Sequence, residues 1–268
     1  MEHVLAFLQY FALSLFYTLG AVVLCGLISY LASRAFVHLA GGGKFVYVTA
    51  ILGTPIHELG HAIACLPFGH KITEMRLLLP PRHPSGSFGY VEHSYNPRNL
   101  WARLGNLFIG IAPIFSCLGV ILLSLFLCFP AEWESYLAAT ARITPDVALP
   151  TIAEAVLSLL ISLPSAFAGA DWWIPAIGIT VMLFVSQHAT LSTADVKGSL
   201  SAFPIYLLLL LLVTLPTYLL GASDTVLDAL FHFHLWTLSF FAIAIALSLV
   251  WLAIALILRI LRGLFRMF

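Results

Sequence analysis

Long apolar runs separated by short polar stretches dominate the hydrophobic pattern of the chain. A helix needs about 20 consecutive, mostly apolar residues to cross the hydrocarbon core of a bilayer. Six runs predict six membrane helices, at 4–33, 45–66, 104–129, 172–191, 201–220 and 236–261. The stretch 151–170 fits two structures, an amphipathic helix on the membrane surface or part of a span broken at Pro164. The surface helix is the favoured interpretation.

The connection between the second and third apolar runs has a pattern of strands and turns. Residues 71–79 and 87–93 are strand-like, and the turn formers at 80–86 separate them. This pattern predicts a small β-hairpin next to the membrane. The sequence has no internal repeat and no linker long enough to separate a second domain. We therefore predict one transmembrane domain over 1–268, with a core at 45–200 and the hairpin connection at 67–103.

Composition supports a membrane protein and argues against a nucleic-acid partner. The chain is 61% hydrophobic and only 9% charged, with a mean hydropathy of +1.03. About a quarter of the residues in a soluble domain are charged. Because 12 Lys and Arg residues balance 12 Asp and Glu residues, the chain has no excess of basic residues that would attract nucleic acid. The lipid bilayer is the expected partner.

Basic residues concentrate in the 67–103 connection and in the C-terminal tail. Cytoplasmic loops of membrane proteins carry an excess of Lys and Arg, so both segments are predicted to be cytoplasmic. The residues concerned are Lys71, Arg76, Arg82, Arg98, Arg103, Arg259, Arg262 and Arg266. With six spans, both termini then lie in the cytoplasm, and we expect the plasma (inner) membrane.

The cysteines do not predict a metal site or a disulfide framework. Cys25, Cys65, Cys117 and Cys128 all lie in apolar stretches, and no two of them have Cys-x-x-Cys spacing. Free cysteines in such surroundings are usually buried small hydrophobic residues. That is the interpretation adopted for all four.

The motif His57-Glu58-Leu59-Gly60-His61 interrupts the second apolar run. On a helix, His57 and His61 lie on one face, one turn apart, where they can take two positions around a zinc ion. Glu58 beside them can accept a proton as a general base. An ionisable residue inside a membrane helix costs on the order of 2.5 to 3.5 kcal/mol, so a metal partner is expected. The motif predicts a zinc hydrolase site within the membrane.

A catalytic zinc ion needs a third protein ligand and an open position for water. Asp195 lies at the predicted cytoplasmic junction of two spans, at the same depth as the two histidines, and is the favoured ligand. His188 in the same segment is the alternative ligand, or a group that orients a ligand or the substrate. His70, His83 and His93 flank turn and strand residues and are not favoured as ligands.

Several segments together resemble the site-2 protease family of intramembrane zinc metalloproteases, which cut substrate helices within the membrane. The motif at 57–62 looks like the family's zinc helix, and Asp195 with Gly198 looks like its aspartate-glycine motif. Three further segments are similar to family motifs: 86–91 to the glycine-tyrosine-valine strand, 99–103 to the aromatic-basic entry, and 110–116 to the glycine-proline…asparagine helix. The likeness covers about 45–200. Ala112 and Ser116 depart from it, because the family usually has glycine and asparagine there.

The resemblance implies a zinc metalloendopeptidase that hydrolyses peptide bonds of membrane-embedded substrates with a zinc-activated water. His57, His61 and Asp195 would hold Zn²⁺ and Glu58 would be the general base. The substrate would be a membrane protein presented as an extended segment, pairing with strand 71–79 or 87–93. Two alternatives use the same residues: a noncatalytic zinc-binding membrane protein, and a proton or metal transporter. Glu58 argues against the first, and the lack of repeated halves argues against the second.

Overall fold

A computed structural model describes residues 1–40, 43–81, 83–84 and 86–265. The described residues form eight α-helices and one two-stranded antiparallel sheet. Arg82 in the predicted turn and Arg266 in the predicted basic tail lie outside the described residues. The helices are α1 (Glu2–Ala40), α2 (Gly43–Cys65), α3 (Leu100–Cys128), α4 (Pro130–Thr140), α5 (Ala148–Ser162), α6 (Trp173–Ser186), α7 (Thr193–Leu219) and α8 (Ser223–Phe265).

Five segments of the described chain are helical, long and apolar enough to cross a membrane. They are Glu2–Leu39, Leu100–Cys128, Ala148–Ala168, Thr193–Leu219 and Ser223–Leu261. Large apolar side chains cover their outer faces, such as Leu212 and Leu219 on α7. Soluble proteins rarely expose so much contiguous apolar surface. The chain is therefore a helical polytopic membrane protein, as its hydrophobic pattern predicts.

The helices that are long enough to span a membrane are not all those that the sequence predicts. The predicted span 172–191 contains α6, whose 14 residues reach only about 21 Å at 1.5 Å per residue, against a hydrocarbon core of about 30 Å. The predicted span 45–66 is helical as α2, but α2 is not among the five segments found in the described residues.

Most of the stretch 151–170 lies in a helical segment that is long and apolar enough to cross a membrane, whereas the sequence favoured a surface helix. After α5, the chain continues without interruption into a 3-10 helix, Leu163–Ala168, so that Ala148–Ala168 is 21 residues long. Pro164 lies in the first turn of this 3-10 helix, and its missing N–H removes one helical hydrogen bond at the change from α-helix to 3-10 helix. The helix therefore changes type at the predicted break and does not end there.

Helix α3 is the centre of the bundle. It packs against α2, α6 and α7, and its Ile114 and Ile121 side chains are fully buried. Asn99 caps its N-terminus, because the side-chain oxygen accepts hydrogen bonds from the N–H groups of Trp101 and Ala102. Helices α1 and α8 pack along each other. Helix α2, which carries the motif at 57–61, and helix α7, which carries Asp195, therefore both pack against α3.

The predicted hairpin is present between α2 and α3. Strand β1 (Lys71–Arg76) pairs antiparallel with β2 (Tyr90–Ser94), with Arg76 opposite Tyr90. The pairing extends toward the turn, since the Leu79 N–H donates to the Phe88 carbonyl at 2.7 Å. Both strands contact α2. The hairpin therefore lies against the helix that carries the zinc motif.

Candidate metal centre

The zinc motif lies on α2, on a face that approaches α3 closely. A Cβ atom added at Gly60 would lie 2.5 Å from the Ser116 Oγ and 3.1 Å from the Ala112 carbonyl oxygen. The Ser116 hydroxyl donates to the Ile56 carbonyl at 2.9 Å. The lack of a side chain at Gly60 lets the two backbones meet, and this contact sets the position of the histidines on α2.

His61 is oriented by a carbonyl that a proline leaves free. Its Nδ1 lies 2.8 Å from the Ile109 carbonyl oxygen on α3. In a regular helix that carbonyl would accept from residue 113, but Pro113 has no N–H. Because a carbonyl can only accept, the hydrogen must be on the Nδ1 of His61. In the neutral imidazole the Nε2 then carries a lone pair.

His57 is oriented in the same way by a different element. Its Nδ1 lies 2.9 Å from the carbonyl oxygen of His188, in the turn that follows α6. Carbonyls at and beyond a helix end lack intrahelical partners and are free to accept. The Nε2 of a neutral His57 therefore also carries a lone pair. Histidines that bind metals typically donate their second N–H to a carbonyl or carboxylate in this manner.

Asp195 faces both Nε2 atoms. Its Oδ1 lies 3.2 Å from the Nε2 of His61, and its Oδ2 lies 3.8 Å from the Nε2 of His57. A capping box at the start of α7 holds this side chain: Asp195 accepts from the Ser192 N–H at 2.7 Å, and its own N–H donates to the Ser192 Oγ at 3.1 Å. The Ser-x-x-Asp pattern is a sequence signal for a helix N-terminus.

The donor set of this cluster fits a zinc ion. One ligand atom from each of His57, His61 and Asp195 lies within 4.8 Å of the other two. At zinc–ligand distances near 2.0–2.2 Å, tetrahedral ligand atoms lie about 3.3–3.6 Å apart. The Nε2 of His61 lies 3.2 Å from the Asp195 Oδ1, near this range, and the Nε2 of His57 lies 3.8 Å from the other carboxylate oxygen, Oδ2. If both imidazoles are neutral, their Nε2 lone pairs face the carboxylate, and a cation between the three groups, either a metal ion or a proton on one ring, stabilises this arrangement. Two nitrogens and one oxygen are the ligand atoms of several catalytic zinc sites.

His188 lies beside this cluster, but its ring points to other partners. Its Nε2 is 3.2 Å from the Thr49 hydroxyl and its Nδ1 is 3.4 Å from the Thr54 hydroxyl. Gly53 makes room for the ring, since an added Cβ would lie 2.7 Å from the His188 Cγ. The structure thus groups Asp195 with the two imidazoles, while the backbone carbonyl of His188 orients His57.

Replacing His188 by glutamine is expected to leave the zinc content unchanged, because the backbone carbonyl that accepts from His57 remains. Elemental analysis of the purified variant, beside wild type and His61→Ala, measures this. A loss of zinc from His188→Gln as large as that from His61→Ala would make His188 a ligand.

A cavity of about 370 Å³ opens at the cluster. Glu58, only 7% exposed, lines it together with His57, His61 and Asp195. The opposite wall includes the segment that leads into β2, residues 87–91. A Cβ atom added at Gly89 would lie 3.0 Å from the Glu58 Cγ, so this segment passes directly over the predicted base.

Two further residues that the sequence motifs do not single out, His93 and Asn106, line the cavity. His93 on β2 is half-buried, and burial, with the nearby His70 as the next cause, lowers the pKa of its imidazole. Asn106 is buried on α3 and donates to the Tyr95 hydroxyl at 2.9 Å. Both residues are far from the motif in the sequence and reach the cavity only through tertiary packing. No local sequence pattern therefore connects them with the site.

Gly110 lets α7, with Asp195, approach α3. A Cβ atom there would meet the Ser199 hydroxyl and would lie 2.6 Å from the Asp195 carbonyl oxygen. We expect Gly110→Ala to push α7 away, to lower stability by about 1–3 kcal/mol and to weaken zinc binding. Thermal unfolding in detergent and zinc titration test this.

Gly119 on the same helix is the matched control for that substitution. A Cβ atom there would meet nothing within 4 Å. Gly119→Ala is therefore expected to keep zinc binding and to stabilise α3 by up to about 1 kcal/mol through helix propensity. Equal behaviour of the two variants would contradict the close contact at Gly110.

Comparison with protein-family models, with curated proteins and with solved structures finds no match for this chain. The resemblance to the site-2 protease family therefore remains an expectation that rests on the sequence motifs.

Proposed function

We propose that this protein is an intramembrane zinc metalloendopeptidase and a divergent member of the site-2 protease family. One observation carries the proposal. His57 and His61 both direct Nδ1 to a backbone carbonyl and Nε2 to Asp195, in a cavity that Glu58 also lines. Two oriented imidazoles, a carboxylate and a nearby buried glutamate are the groups that zinc-dependent peptide hydrolysis requires.

In this proposal the metal ligands and the general base are different residues. His57, His61 and Asp195 would hold the zinc ion, which would lower the pKa of a water molecule and polarise the substrate carbonyl. Glu58 accepts a proton from the attacking water and passes it to the leaving amine.

The cavity wall supports a substrate bound as an extended segment. Peptide bonds in a helix are shielded by their own hydrogen bonds, so the substrate must be unwound before its carbonyl is attacked. Residues 87–91 line the cavity, whereas β1 is exposed along its whole length and contributes no lining residue. Of the two predicted strands, 87–93 is therefore the one proposed to pair with the substrate.

The proposed location follows from charge. Basic residues of the hairpin connection, such as Lys71 and Arg76, favour the cytoplasmic side for the hairpin, and the plasma membrane is the proposed membrane. The cavity lies against the hairpin, so hydrolysis would occur toward the cytoplasm. Helices α1 and α8 run parallel, since Tyr17 contacts His234 and Phe36 contacts Trp251. The two ends of the described chain therefore lie at opposite ends of the bundle and not on one side, as six spans would require.

Elemental analysis of purified wild type, His57→Ala and Glu58→Gln tests the proposal. His57→Ala is expected to lose one zinc ion per chain relative to wild type, and Glu58→Gln is expected to lose none. Folded wild-type protein without zinc would contradict the proposal and would favour the transporter alternative. Zinc with no hydrolysis by wild type would favour the noncatalytic alternative.

A further inference from the structure

A second cluster of ligand-type side chains lies where α2 meets the hairpin. Cys65 ends α2, His70 precedes β1, and His93 lies on β2. One ligand atom from each lies within 4.8 Å of the other two. Cys65 is completely buried and His70 is 5% exposed. None of the three belongs to the group formed by His57, His61 and Asp195.

The turn between α2 and β1 brings Cys65 and His70 together. The His70 N–H donates to the Cys65 carbonyl at 3.0 Å, and Gly69 between them has φ +69. Residues other than glycine rarely adopt this left-handed conformation. The backbone thus closes a tight turn that places a thiol and an imidazole side by side.

The ring of His70 is oriented as a metal ligand would be. Its Nε2 lies 2.8 Å from the Ala102 carbonyl oxygen, so Nε2 carries the hydrogen. The Nδ1 of a neutral His70 therefore has a lone pair, and it lies 2.9 Å from the Nδ1 of His93. Tyr95 stacks on the ring with centroids 4.6 Å apart and fixes its plane. His61 shows the same arrangement, with one ring nitrogen on a helix carbonyl and the other toward a ligand group.

We propose that Cys65, His70 and His93 bind a second zinc ion that ties the hairpin to the end of α2. A thiolate and two imidazoles form a donor set that zinc prefers. His93 also lines the main cavity, which leaves a route for water to the fourth position. Strand β2 follows directly after the wall segment 87–89, so this ion holds the wall of the main cavity in place.

This site does not depend on the proposed proteolysis, and sulfur distinguishes it from the first site. X-ray absorption at the zinc edge of full-length wild type is expected to show a zinc–sulfur distance of about 2.3 Å. Elemental analysis is expected to show two zinc ions per chain. His61→Ala removes only the sulfur-free ion, whereas Cys65→Ser removes one zinc ion together with the sulfur signal.

Cys117→Ala is the matched control, because Cys117 is also a completely buried cysteine but lies in the apolar core on α3. It is expected to keep both ions and the sulfur signal. In Cys65→Ser, the amides of β2 are expected to exchange hydrogen faster, since the ion no longer holds the strand.

The outcomes separate this site from the proposed function. Zinc without a sulfur neighbour in wild type overturns the second site, whether or not Cys65→Ser folds, as does a sulfur signal that survives Cys65→Ser. A single sulfur-bound zinc ion that is unaffected by His57→Ala supports the second site and overturns the proposed function. Wild type that binds no added zinc overturns both, and the His70–His93 contact is then only a hydrogen bond.

Discussion

Replacing Glu58 by glutamine is expected to lower the rate of peptide hydrolysis by about 10²- to 10⁴-fold and to leave the zinc content unchanged. Glutamine has nearly the same size, but its amide cannot accept the proton of the attacking water. Glu58 lines the cavity and is not one of the three grouped ligand residues, so the metal should remain bound. Single-turnover cleavage of a single-span peptide in proteoliposomes measures the rate, and elemental analysis measures zinc.

Glu92→Gln is the control for this substitution. Glu92 is an exposed carboxylate on β2 that does not line the cavity. The control should cleave at the wild-type rate. If Glu58→Gln also cleaved at that rate with its zinc in place, Glu58 would not be the base.

Replacing Asp195 by alanine is expected to weaken zinc affinity by more than about 100-fold and to abolish hydrolysis. Loss of a group that merely orients a ligand already costs about 10–100-fold in affinity. Asp195 is the only carboxylate in the three-residue cluster, so its loss also removes the negative charge among the proposed ligands. Titration of metal-stripped protein with zinc, followed by calorimetry, gives the affinity.

The capping role of Asp195 requires its own control, because the same carboxylate stabilises the start of α7. Ser192→Ala removes the other half of the capping box and is expected to lower stability by about 0.5–2 kcal/mol while zinc binding persists. If Ser192→Ala lost zinc to the same extent as Asp195→Ala, helix capping alone would explain the effect, and Asp195 would not be a ligand.

Local patterns predict the motif helix and the hairpin because the forces that form them act over short distances. His57 and His61 face the same way through helical periodicity alone. Strand-like residues on either side of a cluster of turn formers predict the strands that appear as β1 and β2. The membrane spans are less predictable, since length and hydropathy do not reveal that α6 ends at Ser186 or that Pro164 continues the helix in a 3-10 turn.

The rest of the site depends on contacts between distant segments. His61 and Ile109 are 48 residues apart, and only the packing of α2 on α3 shows that Pro113 frees this carbonyl. The turn between α6 and α7 groups Asp195 with the two imidazoles and leaves the His188 ring facing Thr49 and Thr54, which the sequence does not reveal. The capping pattern Ser192-x-x-Asp195 was an available signal for the start of α7. No sequence pattern marks His70 as a possible metal ligand, because its neighbours in the sequence form a turn.

Cleavage in isotopically labelled water tests most directly whether this protein hydrolyses peptide bonds with zinc. Wild type is stripped with a chelator, reconstituted with a pool of single-span membrane peptides in ¹⁸O-water, and supplied with zinc or left without it. We expect cleavage within the apolar segment only after zinc is restored, with ¹⁸O in the new carboxylate. Zinc-loaded, folded protein that cleaves none of the peptides, or cleavage that persists without zinc, would contradict this function.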